Sequence, residues 1–198
     1  RQFNSRVVVV PSIVDVPADI SEILHRRKEP IVGWSGSPTT AQNLEMITRP
    51  LQEIQRKFNV PLHFIGGRDY PELEGLEYVD KPWSAETEVN DLAAISIGLV
   101  PMPDNPWNRW KFSLKVAQYM ALGIPSVATP MGDIPIQIAH KETGYLAEGS
   151  PDWVSHLAAL ITSRDLRVRV GERAHQTAIE RFTLEANSER ILGAFNIA

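Results

Sequence analysis

SLKVAQYMALGIPSVATPMG, residues 113–132, is the stretch whose reading decides the fold. Its first part is rich in helix formers, Gly123 supplies a stop, and Pro125 cannot continue a helix. Ser126, Val127, Ala128 and Thr129 then read as a short strand, with Gly132 just past it. A helix handed to a strand through so short a connection is the repeating step of an α/β layer.

The same step recurs outward in both directions. Residues 31–34 read as a buried strand broken by Gly36-Ser37-Pro38-Thr39-Thr40. Leu44, Ile47, Leu51, Ile54 and Phe58 follow at helical spacing, with Pro50 set to kink or split that helix. Residues 62–65 give a second strand ending at Gly66-Gly67, residues 69–75 a loop, and residues 76–79 a third strand closing on Lys81-Pro82-Trp83. A short helix over 86–94, a strand over 95–101, a helix over 133–140, an edge strand over 143–147 and an amphipathic helix over 153–161 complete the pattern. From Arg164 the chain reads as helical nearly to its end. Strands alternating with helices predict parallel pairing through crossovers, hence a Rossmann-like, doubly wound parallel α/β sheet with carboxy-terminal helices. Residues 1–30, with a β-branched run at 7–10 and a charged patch at 25–29 that reads as solvated, are a lead-in or linker. Residues 31–182 form the main domain and 183–198 a final helix.

Composition narrows the function. With 198 residues and 43% apolar content, the chain is long enough for a real core. A formal charge of -4 offers no broad positive field for a nucleic-acid backbone or an anionic membrane, so any cationic site is local. With no cysteine, disulfides, thiolate zinc sites and a cysteine nucleophile are excluded, which is compatible with a cytoplasmic protein. No apolar run is long enough to form a transmembrane segment. The histidines, His25, His63, His140, His156 and His175, lack HExxH or paired spacing, and no bound metal is expected. Arg1 is not the start of a signal peptide, and the chain is expected to be internal to a longer parent.

Ligands of open α/β sheets settle beyond the carboxyl ends of the strands, and three features there stand out. The turn WSGSPTT lets backbone N–H groups approach a ligand at Gly36 and Ser37, while Thr39 or Thr40 can cap the following helix; an ordinary capped turn is the alternative. It is neither a Walker A loop nor GxGxxG. The loop PMPDNPWNRWKFSLK, residues 101–115, carries Trp107, Trp110, Arg109 and Lys111 and is too elaborate for a plain crossover; packed tryptophans and a solvated arginine are the alternative. If Ser113 caps the helix after it, Lys115 lies in the first turn, where the macrodipole disfavours a cation by about 0.3–1 kcal/mol. A diphosphate at that terminus reverses the penalty. Lys111, Lys115 and Gln118 share one stripe if the helix extends back to 111, with a solvated polar face as the alternative.

Taken together, GWSGSP, LHFIGG, the long loop, KVAQYMALGIPSVAT and TGYLAEG resemble the carboxy-terminal half of GT-B glycosyltransferases of the family 4, or group 1, type. The resemblance covers nearly the whole chain. It implies a donor domain that binds a nucleotide diphosphate sugar of UDP or GDP type as substrate, with no cofactor, and transfers the glycosyl group with retention and without a metal. Acceptor contacts, to a sugar, lipid or protein, belong in that family to a separate amino-terminal half, which could place the protein at the membrane periphery and leaves this chain inactive alone. Carried over by position, Gly36, Ser37 and Pro38 lie beside the phosphates, and Lys115, Arg109 and Lys111 compensate diphosphate charge. Trp83 joins the donor site, and Gln118 stands where the family has a ribose-binding glutamate. Trp110 occupies the place of a second family glutamate, and the Arg and Lys usual after the first strand are missing from SGSPTTAQN. No catalytic residue is named. A GT-B-like sugar-nucleotide 2-epimerase, with His63 or His140 in the cleft, and a non-catalytic nucleotide-binding module are the alternatives.

Overall fold

The computed structural model describes residues 7–66, 70 and 73–195. Its strands are β1 (Val32–Ser35), β2 (Leu62–Ile65), β3 (Val79–Lys81), β4 (Ile97–Val100), β5 (Ser126–Ala128) and β6 (Tyr145–Leu146). They pair in parallel as one sheet in the order β3-β2-β1-β4-β5-β6. Val32 of β1 sits opposite both Leu62 and Ile97. β1 and β4 are buried along their whole length, which is why VGWS and IGLV carry no charge: a central parallel strand is covered on both faces.

The helices are α1 (Ser21–Arg26), α2 (Pro38–Ala41), α3 (Thr48–Phe58), α4 (Glu88–Ala93), α5 (Leu114–Ala121), α6 (Ile134–Gln137), α7 (Ser150–Thr162), α8 (Arg164–Phe182) and α9 (Leu184–Phe195). α3 packs with α7 over one face, where Trp34, Phe64, Leu51, Ile54, Leu157 and Leu160 make a core. α5 packs with α8 over the other, around Val100, Val116, Tyr119, Met120 and Phe182. The chain runs outward from β1 to β3, then returns to β4 on the other side of β1. Strand order therefore reverses between β1 and β4, where a doubly wound sheet opens a crevice.

The opening stretch folds as its residues dictate. α5 ends with Leu122 as C-cap and Gly123 at φ 61, and the Ile124 N–H donates to the Tyr119 carbonyl at 2.8 Å and the Gly123 N–H to that of Met120 at 3.0 Å. This paired 6→1 and 5→2 bonding needs a left-handed residue after the cap, which glycine adopts without strain. Two further groups satisfy this end. Arg27 Nη1 donates to the Leu122 carbonyl at 2.9 Å and to that of Gly123 at 3.2 Å, and His175 Nδ1 donates to that of Ala121 at 2.8 Å.

Several expectations change at this level. The patch at 25–29 is solvated except at Arg27, which is only 7% exposed. Its Nε also donates to the Ala93 carbonyl at 2.9 Å, so one guanidinium serves the last carbonyl of α4 and the two carbonyls just past the end of α5. Burial pulls that guanidinium down to about 9, still charged at neutral pH. The third strand lies over Val79–Lys81, not 76–79, because Gln55 of α3 takes the backbone of Glu77 on both sides, donating to its carbonyl at 2.6 Å and accepting its N–H at 2.9 Å. Sheet pairing starts only at Val79, opposite His63. The helix expected to be kinked or split at Pro50 is split, though ahead of that residue: the chain after the first strand forms α2, a 3-10 turn over Gln42–Ile47, and α3, with Pro50 in the first turn of α3, where its missing N–H costs nothing. Ser37, not Thr39 or Thr40, is the N-cap of α2, and no side chain caps it. Gly67, and residues 69, 71 and 72 of the expected 69–75 loop, lie outside the described residues. Among the described residues, no helix is long and apolar enough to cross a membrane.

Arg27→Ala leaves three buried or half-buried carbonyls without their donor. Its stability to urea is expected to fall by about 3 kcal/mol; an unchanged midpoint would mean these bonds contribute no net stability.

Candidate functional site

At the reversal between β1 and β4 lies a cleft of about 500 Å3. Its walls come from the carboxyl end of β1 (Ser35, Gly36, Ser37, Pro38), the exit of β4 (Val100, Pro101, Met102), and the start of α5 (Ser113, Leu114, Lys115, Gln118). Gly66, Trp83 and Glu88 close the β2 side, and Asn108 and Lys111 come from the long loop.

Lys115 is the centre of the site. It is the second residue of α5, and its Nζ sits 4.3 Å from the ring centroid of Trp34, a residue 1% exposed at the middle of the sheet. A cation over an indole face gains about 0.5–2 kcal/mol. Burial, and secondarily the charge of Lys111, pull the Lys115 ammonium down to about 7. Gly36 lies close beside it on the strand side. A Cβ there would strike the Trp34 ring and stand 2.8 Å from Lys115 Nζ, so residue 36 has to be glycine for the lysine to lie on the indole.

Tyr119, on the buried side of α5, accepts the Ser35 N–H on its hydroxyl at 3.1 Å, tying the helix to the end of β1. Burial raises the Tyr119 phenol well above its ordinary range, so it stays neutral. At the helix start, the Ser113 N–H donates to Asp133 Oδ1 at 3.0 Å. Ser113 is the N-cap residue, but its hydroxyl makes no capping bond.

The structure brings Gly36, Ser37, Pro38, Trp83, Lys111, Lys115 and Gln118 to one cleft. Arg109 is not among its walls: its Nε and Nη2 engage Asp104 at 2.6 and 3.0 Å, and both side chains are exposed. Lys111 does not share a helical stripe with Lys115, since α5 begins at Leu114. It enters the cleft from extended backbone after a 3-10 turn over Asn108–Trp110, and extended backbone sends successive side chains to opposite sides. Trp110 and Phe112 accordingly line a separate depression with Asp133 and Arg190, while Lys111 and Ser113 line the cleft. Trp107 and Trp110 are 78% and 91% exposed, so neither tryptophan of the loop is a packing residue. His63 on β2 and His140 beside β6 line neither wall of the cleft; His140 Nδ1 accepts the Leu146 N–H at 3.0 Å.

Glu88 is the residue that sequence reasoning missed. It opens α4 and contacts Gln118, yet an acidic residue in a helical first turn is too common to mark a site. Asn108, held by its Nδ2 on the Pro103 carbonyl at 2.8 Å, was equally silent. Among the described residues, no group of three His, Asp or Glu is placed to hold a metal ion.

This arrangement has relatives. A protein similar over part of the chain is the N-acetyl-alpha-D-glucosaminyl L-malate synthase of Bacillus anthracis, 36% identical over 86 residues, or 42% of this chain and 22% of that protein. The fold is shared with Anabaena Alr3699/HepE in complex with UDP-glucose, at a TM-score of 0.70 and 16% identity, covering 93% of this chain and 54% of that one. It is shared too with the C-terminal domain of a glycosyl transferase group 1 family protein, LpcC, from Francisella tularensis, at a TM-score of 0.63 and 17% identity, covering 89% of this chain and 97% of that one. The chain thus spans about a fifth of the curated relative's length and about half of the Anabaena protein. Residues 29–163, most of the chain, match the family described as Glycosyl transferases group 1, and the protein belongs to that family.

Proposed function

We propose that the cleft binds the diphosphate of a UDP- or GDP-type sugar, and that the chain is the donor-binding part of a glycosyltransferase. The observation that carries this reading is the half-buried Lys115 ammonium at the N-terminus of α5, facing the Gly36-Ser37 turn with Lys111 beside it. Two cations and the first N–H groups of an eight-residue helix converge on a small space at the switch point of the sheet. That is a setting for two linked phosphates.

In the proposed reaction, the bond between the sugar's anomeric carbon and the β-phosphate oxygen breaks, its electron pair stays on the diphosphate, and the acceptor oxygen bonds to the anomeric carbon. Charge develops on the leaving oxygen, where fixed donors and cations lower the barrier. Lys111, Lys115 and the helix terminus supply that countercharge in our reading, so no divalent metal is required, and configuration is retained as in the related family. The acceptor, a sugar, lipid or protein, would be held by a separate amino-terminal half, working in the cytoplasm or at the face of a membrane. Exposed Leu184, Leu192 and Phe195 on α9 support a partner surface there.

One observation favours a non-catalytic nucleotide-binding module instead. Trp110, in the place of a family glutamate, is turned to the other depression and leaves no carboxylate there for the transferred sugar. The epimerase reading has less support, since neither His63 nor His140 reaches the cleft.

Calorimetric titration with UDP, GDP and their sugar conjugates tests the donor site. Lys115→Ala is expected to weaken binding at least tenfold, about 1.4 kcal/mol, and EDTA to leave it unchanged. An absence of binding by the unmodified chain to every one of these ligands would remove the reading.

The pH dependence has a definite sign. Lys115 is depressed to about 7 when free, and an anion favours its protonated form, so binding raises that value and takes up a proton above pH 7. Affinity is expected to be full below about 7 and to fall as pH rises through it, by up to about tenfold per unit. The Lys115→Ala profile should be flatter over this window.

A further inference from the structure

β6 is the last strand of the sheet, and its outer side meets no further strand among the described residues. Its pairing with β5 uses the Ala147 N–H, which donates to the Ala128 carbonyl at 2.9 Å. Backbone groups of successive strand residues point to opposite sides, so the Leu146 N–H is directed outward. An unpaired strand edge is a template for another chain, and folded proteins block it. Here the block is an imidazole: His140 Nδ1 accepts the Leu146 N–H at 3.0 Å. A ring nitrogen that accepts carries no proton, so the neutral His140 is the tautomer with its hydrogen on Nε2.

A stiff turn aims this ring. The Ala139 N–H donates to Thr143 Oγ1 at 2.9 Å, the Thr143 N–H to the Ala139 carbonyl at 2.9 Å, and the Lys141 N–H to the Gly144 carbonyl at 2.7 Å. Lys141 takes a left-handed φ of 68 to close it. A second imidazole stands beside the first. The ring centroids of His140 and His156, which comes from α7, are 5.3 Å apart, and Tyr145 of β6 completes the cluster at 5.8 Å from the one and 5.0 Å from the other. No carboxylate forms an ion pair with either imidazole among the described residues.

The charges around the cluster oppose a proton more than they invite one. Burial first, then His140, hold the His156 ring below the usual imidazole range; Lys141 acts the same way, while Asp152 on α7 and the Leu146 backbone act against it. Burial raises the Tyr145 phenol, with Arg169 of α8 opposing, so Tyr145 stays neutral. Glu142 and Glu148, before and after β6 in sequence, are exposed.

We infer that His140 is a pH-sensitive latch on the outer edge of the sheet: neutral, it accepts the Leu146 N–H, and once it takes a proton from solvent onto Nδ1 it becomes a donor there and frees that N–H. The bond exists only with the neutral ring. Histidine changes charge between about pH 5 and 8, so the latch is closed above that window and opens as the pH falls through it. A cation so formed stands beside a second imidazole and a lysine, which adds repulsion to the lost bond.

The test is amide hydrogen exchange on the 198-residue chain, resolved by residue with NMR and expressed as protection relative to the unfolded rate at each pH. Between about pH 7.5 and about pH 5.5, Leu146 is expected to lose about fivefold of its protection, while Leu99 in the central strand keeps its own, which separates the latch from global unfolding. Nitrogen chemical shifts at the upper pH should show the proton of His140 on Nε2. His140→Asn, whose side-chain oxygen can take the same N–H, should hold Leu146 protected at both ends of the range and erase the pH dependence. His140→Ala should bring protection down to the acid level throughout. Leu146 protection that does not change with pH in the unmodified chain overturns the inference, as does a neutral His140 with its proton on Nδ1. A pH dependence that survives in His140→Asn assigns the effect to another group and overturns it as well.

Discussion

The Lys115 ammonium lying on the face of Trp34 is the constraint around which the molecule is arranged. A cation in the first turn of a helix opposes the dipole, and half-burial adds a desolvation cost. The indole face offsets part of that cost, and only glycine at position 36 leaves room for the contact. The remaining imbalance is one that a bound negative charge, as in the proposed donor diphosphate, would relieve on both counts.

α5 joins the two halves of this arrangement. Its C-terminus is closed: Gly123 turns the chain, and Arg27 and His175 take the outgoing carbonyls. Its flank is bolted to β1 through Tyr119 and Ser35. With one end sealed and one side fixed, the other end is presented to the crevice, where the Leu114 and Lys115 N–H groups meet no acceptor among the described residues. The rigid and the reactive parts of one helix are its two termini, and the sheet decides which faces the crevice.

The alternation of strands and helices was legible because each element carries its own period and its own stop signals. Gly123 and Pro125 mark one end, Gly36 and Pro38 another, and the parallel sheet follows from the crossovers. Errors came where long-range partners overrode local pattern. Gln55, more than twenty residues away, occupies the backbone of Glu77 and delays β3. Arg27, inside a run of charges, is drawn into the core by carbonyls of two helices distant in sequence. The reach of Lys111 depended on where α5 starts: Lys111 itself is extended, and the helix begins only at Leu114. In the site, Lys115 and Gln118 could be read from their helical offset, but Glu88 could not. Its place in the cleft exists only because α4 and α5 face each other across it.

By itself the sequence determined the class of fold, the position of the glycine-rich turn, and a lysine where a helix ordinarily refuses one. These are local properties, encoded by propensity, spacing and charge within a few residues. The tertiary structure decided which cations share a cleft, since Arg109 is satisfied by Asp104 while Lys111 arrives from extended backbone. It also decided that Trp110 faces away and that a carboxylate from α4 meets the amide of α5. Those outcomes depend on how strands order themselves in a sheet and on which helices cover which face. Such distances are set by packing between residues far apart in the chain, and no local pattern carries them.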